Sequence, residues 1–176
     1  MSTEPLELLC GFVNSLDVET GVDAIATPPG LAHWLSEQGL ADDDVSASAA
    51  DVRRATELRE ALRAHLLAND GAPLPSDAAV ALDRQARRSR MAVGFAAAGA
   101  ELRSDATGVD GALGSLLAAV AGAMADGSWA RLKVCRADDC RWAFVDRSRN
   151  GARHWCAMSV CGNRQKARAY RARHAR

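Results

Sequence analysis

The spacing of four cysteines near the C-terminus constrains the fold of this chain more than any other feature. Cys135, Cys140, Cys156 and Cys161 form the pattern C-x4-C-x15-C-x4-C. Two pairs of thiolates can surround one tetrahedral zinc ion, because each pair supplies one edge of the tetrahedron. Four protein ligands leave no open coordination position, so the pattern predicts a structural zinc ion (Zn2+) and not a catalytic one.

Two other interpretations of these cysteines remain open. Reduced thiols could pack together, although few apolar residues lie nearby to build a core. Disulfide bonds are disfavoured if the protein stays in a reducing compartment. The apolar stretch 6–16 contains Glu7 and lacks a basic segment before it, so it does not resemble a signal peptide, and no apolar run reaches the length of a membrane span. The sequence therefore predicts a cytoplasmic protein without a membrane partner, in which the fifth cysteine, Cys10, is a buried thiol.

The charge of the chain is divided unevenly, although the net charge of the whole is zero. From Arg131 to the end, 13 lysines and arginines face three aspartates, which gives +10, so residues 1–130 hold −10. An asymmetry of this kind predicts an anionic partner for the basic part. A GC-rich coding bias explains why arginine outnumbers lysine 20 to 2, but it does not explain why 11 of the 20 arginines fall in the last 46 residues.

Apolar periodicity predicts that the first part of the chain is mainly helical. One helix is predicted around 9–16 and a second over 31–40, after the breaker TPPG. The clearest helix spans about 49–69, and it ends before Gly71. Another is predicted over about 80–86, capped by Ser76 or Asp77, and a last one over 113–124. Residues 90–104 favour a weak β-hairpin.

The cysteine region is predicted to form a small module of its own. Trp142 and Phe144 alternate between the two cysteine pairs, and Asn150–Gly151 is a turn signal, which together predict a β-hairpin. The 46 residues from Arg131 onward cannot bury enough apolar surface to fold unaided, so we expect the metal to stabilise them. The predicted fold class is α+β. A mainly helical N-terminal domain with a small β-hairpin, residues 1–128, precedes a basic zinc-finger module, residues 129–176, made of a hairpin and a C-terminal helix.

Basic residues dominate the predicted helix after Cys161. A helix that is polar on nearly every side is not a core helix, and its charges repel one another unless an anion such as a phosphate compensates them. The alternative is a solvated basic terminus without a function. The predicted nucleic-acid contacts are Arg164, Lys166, Arg168, Arg171 and Arg173 on the helix, with Arg147 and Arg149 between the cysteine pairs.

These residues resemble a known family. CGNR at Cys161–Arg164, the preceding DRSRNGARHWC and the Arg-rich end are similar to the CGNR zinc finger. LLCGFVNSLD, TPPGLAHWLSEQGL and DVRRATELREALRAHLLA resemble the ABATE domain, which precedes this finger in bacterial proteins described as stress-induced transcription regulators. The resemblance implies zinc on the four cysteines, with Gly162, Asn163 and Arg164 as signature residues. Gly162 would allow a tight turn at the metal, Asn163 would cap the helix and Arg164 would reach outward.

The leading functional hypothesis is a zinc-dependent regulator that binds DNA, with an N-terminal domain that senses a signal or forms a homodimer. RNA binding, or a protein-interaction zinc module joined to a small-molecule-binding N-terminal domain, are the alternatives. Asn14, His33 and His65 are the polar residues to consider for catalysis in the first domain. A local hydrogen-bonding role, a surface position and a core position explain them better, so no catalytic residue is predicted and the protein is not expected to be an enzyme.

Overall fold

The computed structural model describes residues 4–97 and 99–174, so the ends of the two predicted domains, 1–3 and 175–176, lie outside the described residues. The predicted α+β class is confirmed: a mainly helical first part with a small hairpin precedes a cysteine module with a helix. The helices are α1 (Glu4–Val13), α2 (Pro28–Glu37), α3 (Ala49–Ala68), α4 (Ser76–Arg88), α5 (Gly108–Ala125) and α6 (Asn163–His174). The strands are β1 (Met91–Ala96), β2 (Gly99–Ser104), β3 (Leu132–Val134) and β4 (Ala143–Val145).

The caps of α2 and α3 show why these helices begin where they do. Ser48 and Asp51 form a capping box on α3, in which the Asp51 N–H donates to Ser48 Oγ over 3.2 Å and the Ser48 N–H donates to Asp51 Oδ2 over 2.7 Å. The TPPG stretch was predicted to break the chain before α2, but its prolines form the first turn of that helix. Proline suits this position because the first turn needs no amide donor, and Thr27 provides the cap.

Helix α5 lies at the centre of the hydrophobic core. It packs against α1, α3 and α4, and its buried residues are Val109, Ala112, Leu113, Gly114, Leu116, Leu117, Val120 and Ala123. By length and composition alone, α5 is also long and apolar enough to cross a membrane. The expectation that no apolar run reaches this length was therefore wrong for α5, although in this fold the helix packs among the other helices of the core.

The first hairpin forms where the sequence predicts it, and the second forms differently. Strands β1 and β2 pair antiparallel over residues 91–104. In the cysteine module, the strand with Phe144 was predicted to turn at Asn150–Gly151, but β4 instead pairs backward with β3, so that Leu132 faces Val145. All three residues of β3 are buried, which gives β4 a partner packed on the core, whereas the segment after Gly151 contains exposed Arg153 and no described strand.

The strands of the cysteine module belong to the main core. Leu132, Val134 and Ala143 join the same cluster of buried side chains as the residues of α1, α3 and α5. Asn14, directly after α1, pairs with β4 like an added strand residue: its Nδ2 donates to the Ala143 carbonyl over 2.9 Å and its Oδ1 accepts from the Ala143 N–H over 2.7 Å. Asn69, after α3, donates to the Leu132 carbonyl over 3.0 Å. Polar side chains of the helical part therefore fix both strands.

Candidate metal centre and nucleic-acid interface

The first cysteine pair closes the loop between β3 and β4. The Cys135 N–H donates to the Trp142 carbonyl over 2.9 Å, which extends the strand pairing by one step. The Cys140 N–H donates to the Ala137 carbonyl over 3.0 Å and tightens the turn. Arg63, a buried residue of α3, donates from Nη1 to the Arg141 carbonyl over 2.7 Å and ties the end of this loop to the helical core. The positions of both sulfurs are thus set by backbone and core contacts.

The second cysteine pair brackets a helical turn of unusual width. Cys161 lies in a π-helical turn, Met158–Gly162, that continues directly into α6. In this turn the Gly162 N–H donates to the Ala157 carbonyl over 3.2 Å. A π turn holds one more residue than an α-helical turn, and it therefore accommodates the long four-residue gap between Cys156 and Cys161.

The four sulfurs converge on one point. Their Sγ atoms all lie within 4.8 Å of one another. Cys156 Sγ lies 3.7 Å from Cys140 Sγ and 3.7 Å from Cys161 Sγ. Metal–sulfur bonds of about 2.3 Å in a tetrahedron place the sulfurs about 3.8 Å apart, so the set fits an ion of the size of zinc. Cys135, Cys140 and Cys161 are buried and Cys156 is partly exposed, which leaves little access for a further ligand.

The thiols favour a bound cation electrostatically. Burial raises the pKa of the Cys156 thiol strongly, and burial raises the pKa of Cys161 to about 11. Burial also acts against ionisation of Cys135, but the N–H groups of Cys156 and Ala137, with the neighbouring thiols, outweigh it and lower the pKa of that residue. The cluster thus favours one negative charge and resists more. A divalent cation reverses this preference, because a coordinating thiol is deprotonated.

A buried ion pair frames the turn between the cysteine pairs. Lys133 Nζ on β3 lies 3.3 Å from Asp146 Oδ2, and both side chains are nearly inaccessible. Asp146 also accepts from the N–H groups of Ser148 and Arg153, each over 2.9 Å. Burial alone would raise the pKa of Asp146, but these hydrogen bonds outweigh it and hold the pKa well below the usual range. The sequence analysis did not predict this pair. The pattern D-x-S at Asp146–Ser148 indicates an Asx turn, and this was the available signal for an ordered Asp146.

Comparison with known families places both parts of the chain. A profile of the ABATE family, described as "Putative stress-induced transcription regulator", matches residues 6–127. A profile of the CGNR zinc finger matches residues 131–174. The chain belongs to the ABATE family and carries a CGNR zinc finger. No curated protein matches the chain significantly.

The CGNR signature residues contribute packing and pairing. A Cβ atom at Gly162 would lie 3.3 Å from Trp155 Cδ1 and closer still to the Met158 sulfur, so a larger residue would displace the exposed Met158 side chain and crowd the Trp155 ring. The interpretation of Asn163 as a cap was wrong, because the helical segment already begins at Met158 and Asn163 Nδ2 donates to the Ser159 carbonyl over 3.2 Å. Arg164 does not point freely outward: its guanidinium lies 3.1 Å from Asp139 and 3.0 Å from Glu19.

The predicted nucleic-acid contacts separate into two groups. The held group consists of arginines in ion pairs, with Arg147 on Glu7 over 2.5 Å and Arg168 on Asp139 over 2.7 Å, in addition to Arg164. The open group consists of exposed side chains for which no carboxylate of residues 4–97 or 99–174 lies within 4.0 Å: Arg149, Lys166, Arg171 and Arg173. The open group lies on α6 and on the turn that Asp146 organises.

The residues considered for catalysis lie apart from one another. Asn14 bonds to Ala143 of the finger. His33 is exposed on α2, 3.3 Å from Glu37. His65 packs edge-on against Trp129, and burial lowers the pKa of its imidazole. The exposed position of His33 and the packing of His65 agree with the roles that the sequence favoured for them. The local hydrogen-bonding role expected of Asn14 was wrong, because its partner Ala143 lies 129 residues away.

An open groove of about 790 Å³ runs between the ABATE domain and the finger. Cys10 and Trp34 line it from the helical side, and Trp142 lines it from β4. The charged residues Glu7, Asp17 and Arg147 also line it. Residues of both parts thus form one surface, and the Glu7–Arg147 ion pair belongs to it.

Proposed function

We propose that this protein is a zinc-dependent transcription regulator whose CGNR finger binds duplex DNA through phosphate contacts. The observation that supports it most is the concentration of positive charge, +10 from residue 131 onward. The open group presents four of these charges on the surface. Basic side chains on one module neutralise phosphates and release counterions, which provides affinity without sequence specificity.

Zinc is the metal that we propose for the four thiolates. An all-sulfur set with tetrahedral spacing suits zinc, and zinc in such a site fixes structure and performs no chemistry. Cys135 and Cys140 would hold the ion against β3 and β4, and Cys156 and Cys161 would fasten α6 to it. Elemental analysis of the purified protein and of a Cys161→Ser variant tests this, with about one zinc per chain expected in the first and far less in the second.

We propose different roles for the two parts of the chain. Residues 1–128 would sense a signal or form a homodimer, and residues 129–176 would bind the nucleic acid. A single finger reads few base pairs, so a homodimer would supply the additional contacts that genomic specificity requires. Binding to chromosomal DNA places the protein in the bacterial cytoplasm. A small-molecule ligand of the ABATE domain would bind in the open groove that Trp142 lines.

The test is fluorescence anisotropy of a labelled mixed-sequence duplex at several salt concentrations. We expect affinity to fall steeply with salt, with a log–log slope of about −0.9 for each phosphate neutralised. A triple variant of the open group, with Lys166, Arg171 and Arg173 changed to Gln, should flatten this slope. The matched control changes Arg53, Arg87 and Arg88, three exposed arginines of the ABATE domain, and should leave the slope as it is.

Competition with single-stranded RNA in the same assay separates the second candidate. Trp142 beside the groove is 40% exposed, and an exposed indole can stack on an unpaired base. Preference for duplex DNA supports the transcription regulator, and preference for RNA supports the alternative. Failure of both to bind at low salt would leave a protein-interaction module and remove the physical basis of the proposal.

A further inference from the structure

The ABATE domain places two carboxylates on arginines of the finger. Glu7 of α1 lies 2.5 Å from Arg147 Nη2, and Glu19 Oε1 lies 3.0 Å from Arg164 Nη2. Carboxylate and phosphate oxygens accept hydrogen bonds from the same donors of a guanidinium group. A phosphate that binds either arginine in the same geometry must therefore displace a carboxylate of the ABATE domain.

Glu19 is presented to Arg164 by a well-defined turn. Asp17 Oδ1 accepts from the Glu19 N–H over 2.9 Å, and Leu16 pairs with Asp23 across the turn. Asp23 in turn accepts from Arg59, with 2.7 Å from Nη1 to Oδ1 and 2.9 Å from Nη2 to Oδ2. Arg59 is only 2% exposed, so the base of the turn is anchored in the core. The position of Glu19 is thus set by the fold of the ABATE domain.

Arg164 is enclosed more completely than the open group. Asp139 of the finger holds its Nη1 while Glu19 holds its Nη2, and the side chain is 29% exposed. Asp139 also holds Arg168. The signature arginine of the finger is therefore bound by one carboxylate from each part of the molecule.

We propose that Glu7 and Glu19 are autoinhibitory contacts, which compete with nucleic-acid phosphates for Arg147 and Arg164. This inference rests on the proposed DNA binding and adds its regulation. Glu7 and Arg147 line the groove between the two parts, as do Asp17 and Thr20, which lie on either side of Glu19 in its turn. A change in that groove would act directly on the Glu7–Arg147 pair and, through Asp17 and Thr20, on the turn that presents Glu19, so the ABATE domain would adjust the affinity of the finger through charge competition.

The expected effect is a graded change in affinity. All four side chains of the two pairs are at least 29% exposed, and exposed ion pairs are weak. Loss of one such competitor should tighten binding by up to about fivefold, and independent loss of both by about two- to twenty-fivefold.

The experiment compares four proteins, all loaded with zinc, on the labelled mixed-sequence duplex: wild type, Glu7→Gln, Glu19→Gln and the double variant. Glutamine keeps the size of the side chain, and circular dichroism checks the fold. The matched control is a Glu57→Gln, Glu101→Gln double variant. It removes the same two charges, and Glu57 forms an equally exposed ion pair, 2.5 Å from Arg84, within the ABATE domain.

Autoinhibition is supported if the Glu7 and Glu19 double variant binds more tightly than wild type. Its salt slope should be steeper by up to about 0.9 for each released arginine, and the affinity of the control should stay within about twofold of wild type. Binding by the double variant where the wild type does not bind supports it as well.

Equal changes in the double variant and the control would show an effect of net charge alone and overturn the inference. Binding by the wild type that neither variant alters also overturns it, while the proposed function stands. Absence of binding by all the proteins would overturn the proposed function and this inference with it.

Discussion

The two cysteine pairs of the finger lie in contrasting surroundings. Cys135 and Cys140 close a loop whose strands are part of the main core. The strands accept hydrogen bonds from Asn14 and Asn69, and the loop itself accepts one from Arg63. Cys156 and Cys161 follow a turn that contains no described strand, and they lead into α6, whose side chains are mostly exposed. The first pair is held by contacts with the core, whereas the second pair has fewer such contacts and would depend more on a bound metal ion.

This difference shows where the metal contributes to stability. A zinc ion at the four sulfurs adds little to β3 and β4, because buried apolar side chains and side-chain hydrogen bonds already fix them. The same ion would fasten the π turn and α6, whose other contacts with the rest include the packing of Cys161 against Cys135 and Cys140 and the ion pairs of Arg164 and Arg168. The metal would therefore join a stable half of the finger, with β3, β4 and the first cysteine pair, to a dependent half, with the second cysteine pair and α6.

Removal of the metal should have the largest effect, and it should separate the two halves. We expect a strong chelator to abolish the protection of α6 amides from hydrogen exchange, because structural zinc supplies about 10 kcal/mol or more in finger-sized peptides. The Ala143 amide, bonded to Asn14, should remain protected. Hydrogen exchange followed by mass spectrometry measures both regions in one sample.

Two cysteine variants provide the matched controls for metal removal. Cys161→Ser should reproduce the loss in α6 without chelator. Cys10→Ser, which alters a buried thiol of α1 outside the cluster, should leave α6 protected. Simultaneous loss of protection in β4 and α6 would contradict the division into two halves and restore the simpler expectation that the whole module depends on the metal.

Asp70 connects the two halves directly, and its replacement should have the second-largest effect. Its carboxylate accepts from His154 Nδ1 over 2.8 Å and from Arg136 Nε over 2.5 Å, and it lies 3.6 Å from Lys133 Nζ. The side chain is only 6% exposed. Asp70→Asn should lower the free energy of unfolding by about 3 kcal/mol, because it removes one partner of a buried charge network. Urea denaturation of the zinc-loaded protein measures this.

Asp83→Asn is the control for Asp70, since Asp83 is an exposed residue of α4. It should change the unfolding free energy by less than about 0.5 kcal/mol. Equal effects of the two substitutions would show that the contacts of Asp70 do not stabilise the junction.

Local patterns in the sequence predicted the helices and the thiol cluster well. The stripe of α3 and its serine cap depend on neighbours within one or two turns, and the paired spacing of the cysteines reflects the geometry of one ion. The prediction for the TPPG stretch was wrong because proline disrupts a helix only when it lies in the interior, whereas it suits the first turn. Only the position of the cap distinguishes the two cases.

Contacts between distant residues could not be predicted in the same way. Nothing near Asn14 in sequence indicates that it pairs with Ala143, 129 residues away. The pairing of β4 with β3 depends on the burial of β3 against α3, which only the assembled core provides. One ion pair of Arg164 likewise depends on the Glu19 turn. The sequence shows that Arg164 can bind an anion, but it does not show that a carboxylate of the ABATE domain is that anion.

Replacement of Asn14 tests the stable half of the comparison. Asn14→Ala removes two hydrogen bonds and leaves a buried N–H and carbonyl of Ala143 without partners, which should lower the free energy of unfolding by about 2 kcal/mol. The exchange of β4 amides should rise before that of α6. Asn150→Ala, in an exposed turn of the finger, is the control and should have a much smaller effect. If exchange in β4 were unchanged, the stability of this half would come from apolar packing alone.

The smallest expected effect concerns the pH dependence of the core on which the stable half packs. His65 packs against Trp129, and burial lowers the pKa of its imidazole below the ordinary value of 6.5. The unfolded chain therefore binds a proton at His65 more readily than the folded chain does, and the folded state loses stability as the pH falls below about 6.5. One such group accounts for a slope of at most about 1.4 kcal/mol per pH unit.

Unfolding free energies from pH 8 to about pH 6 should decline less steeply for His65→Gln than for wild type. The control His33→Gln, at an exposed site, should match wild type. Equal slopes for wild type and His65→Gln would mean that the pH dependence arises elsewhere, with the four cysteines and α6 as the next region to test.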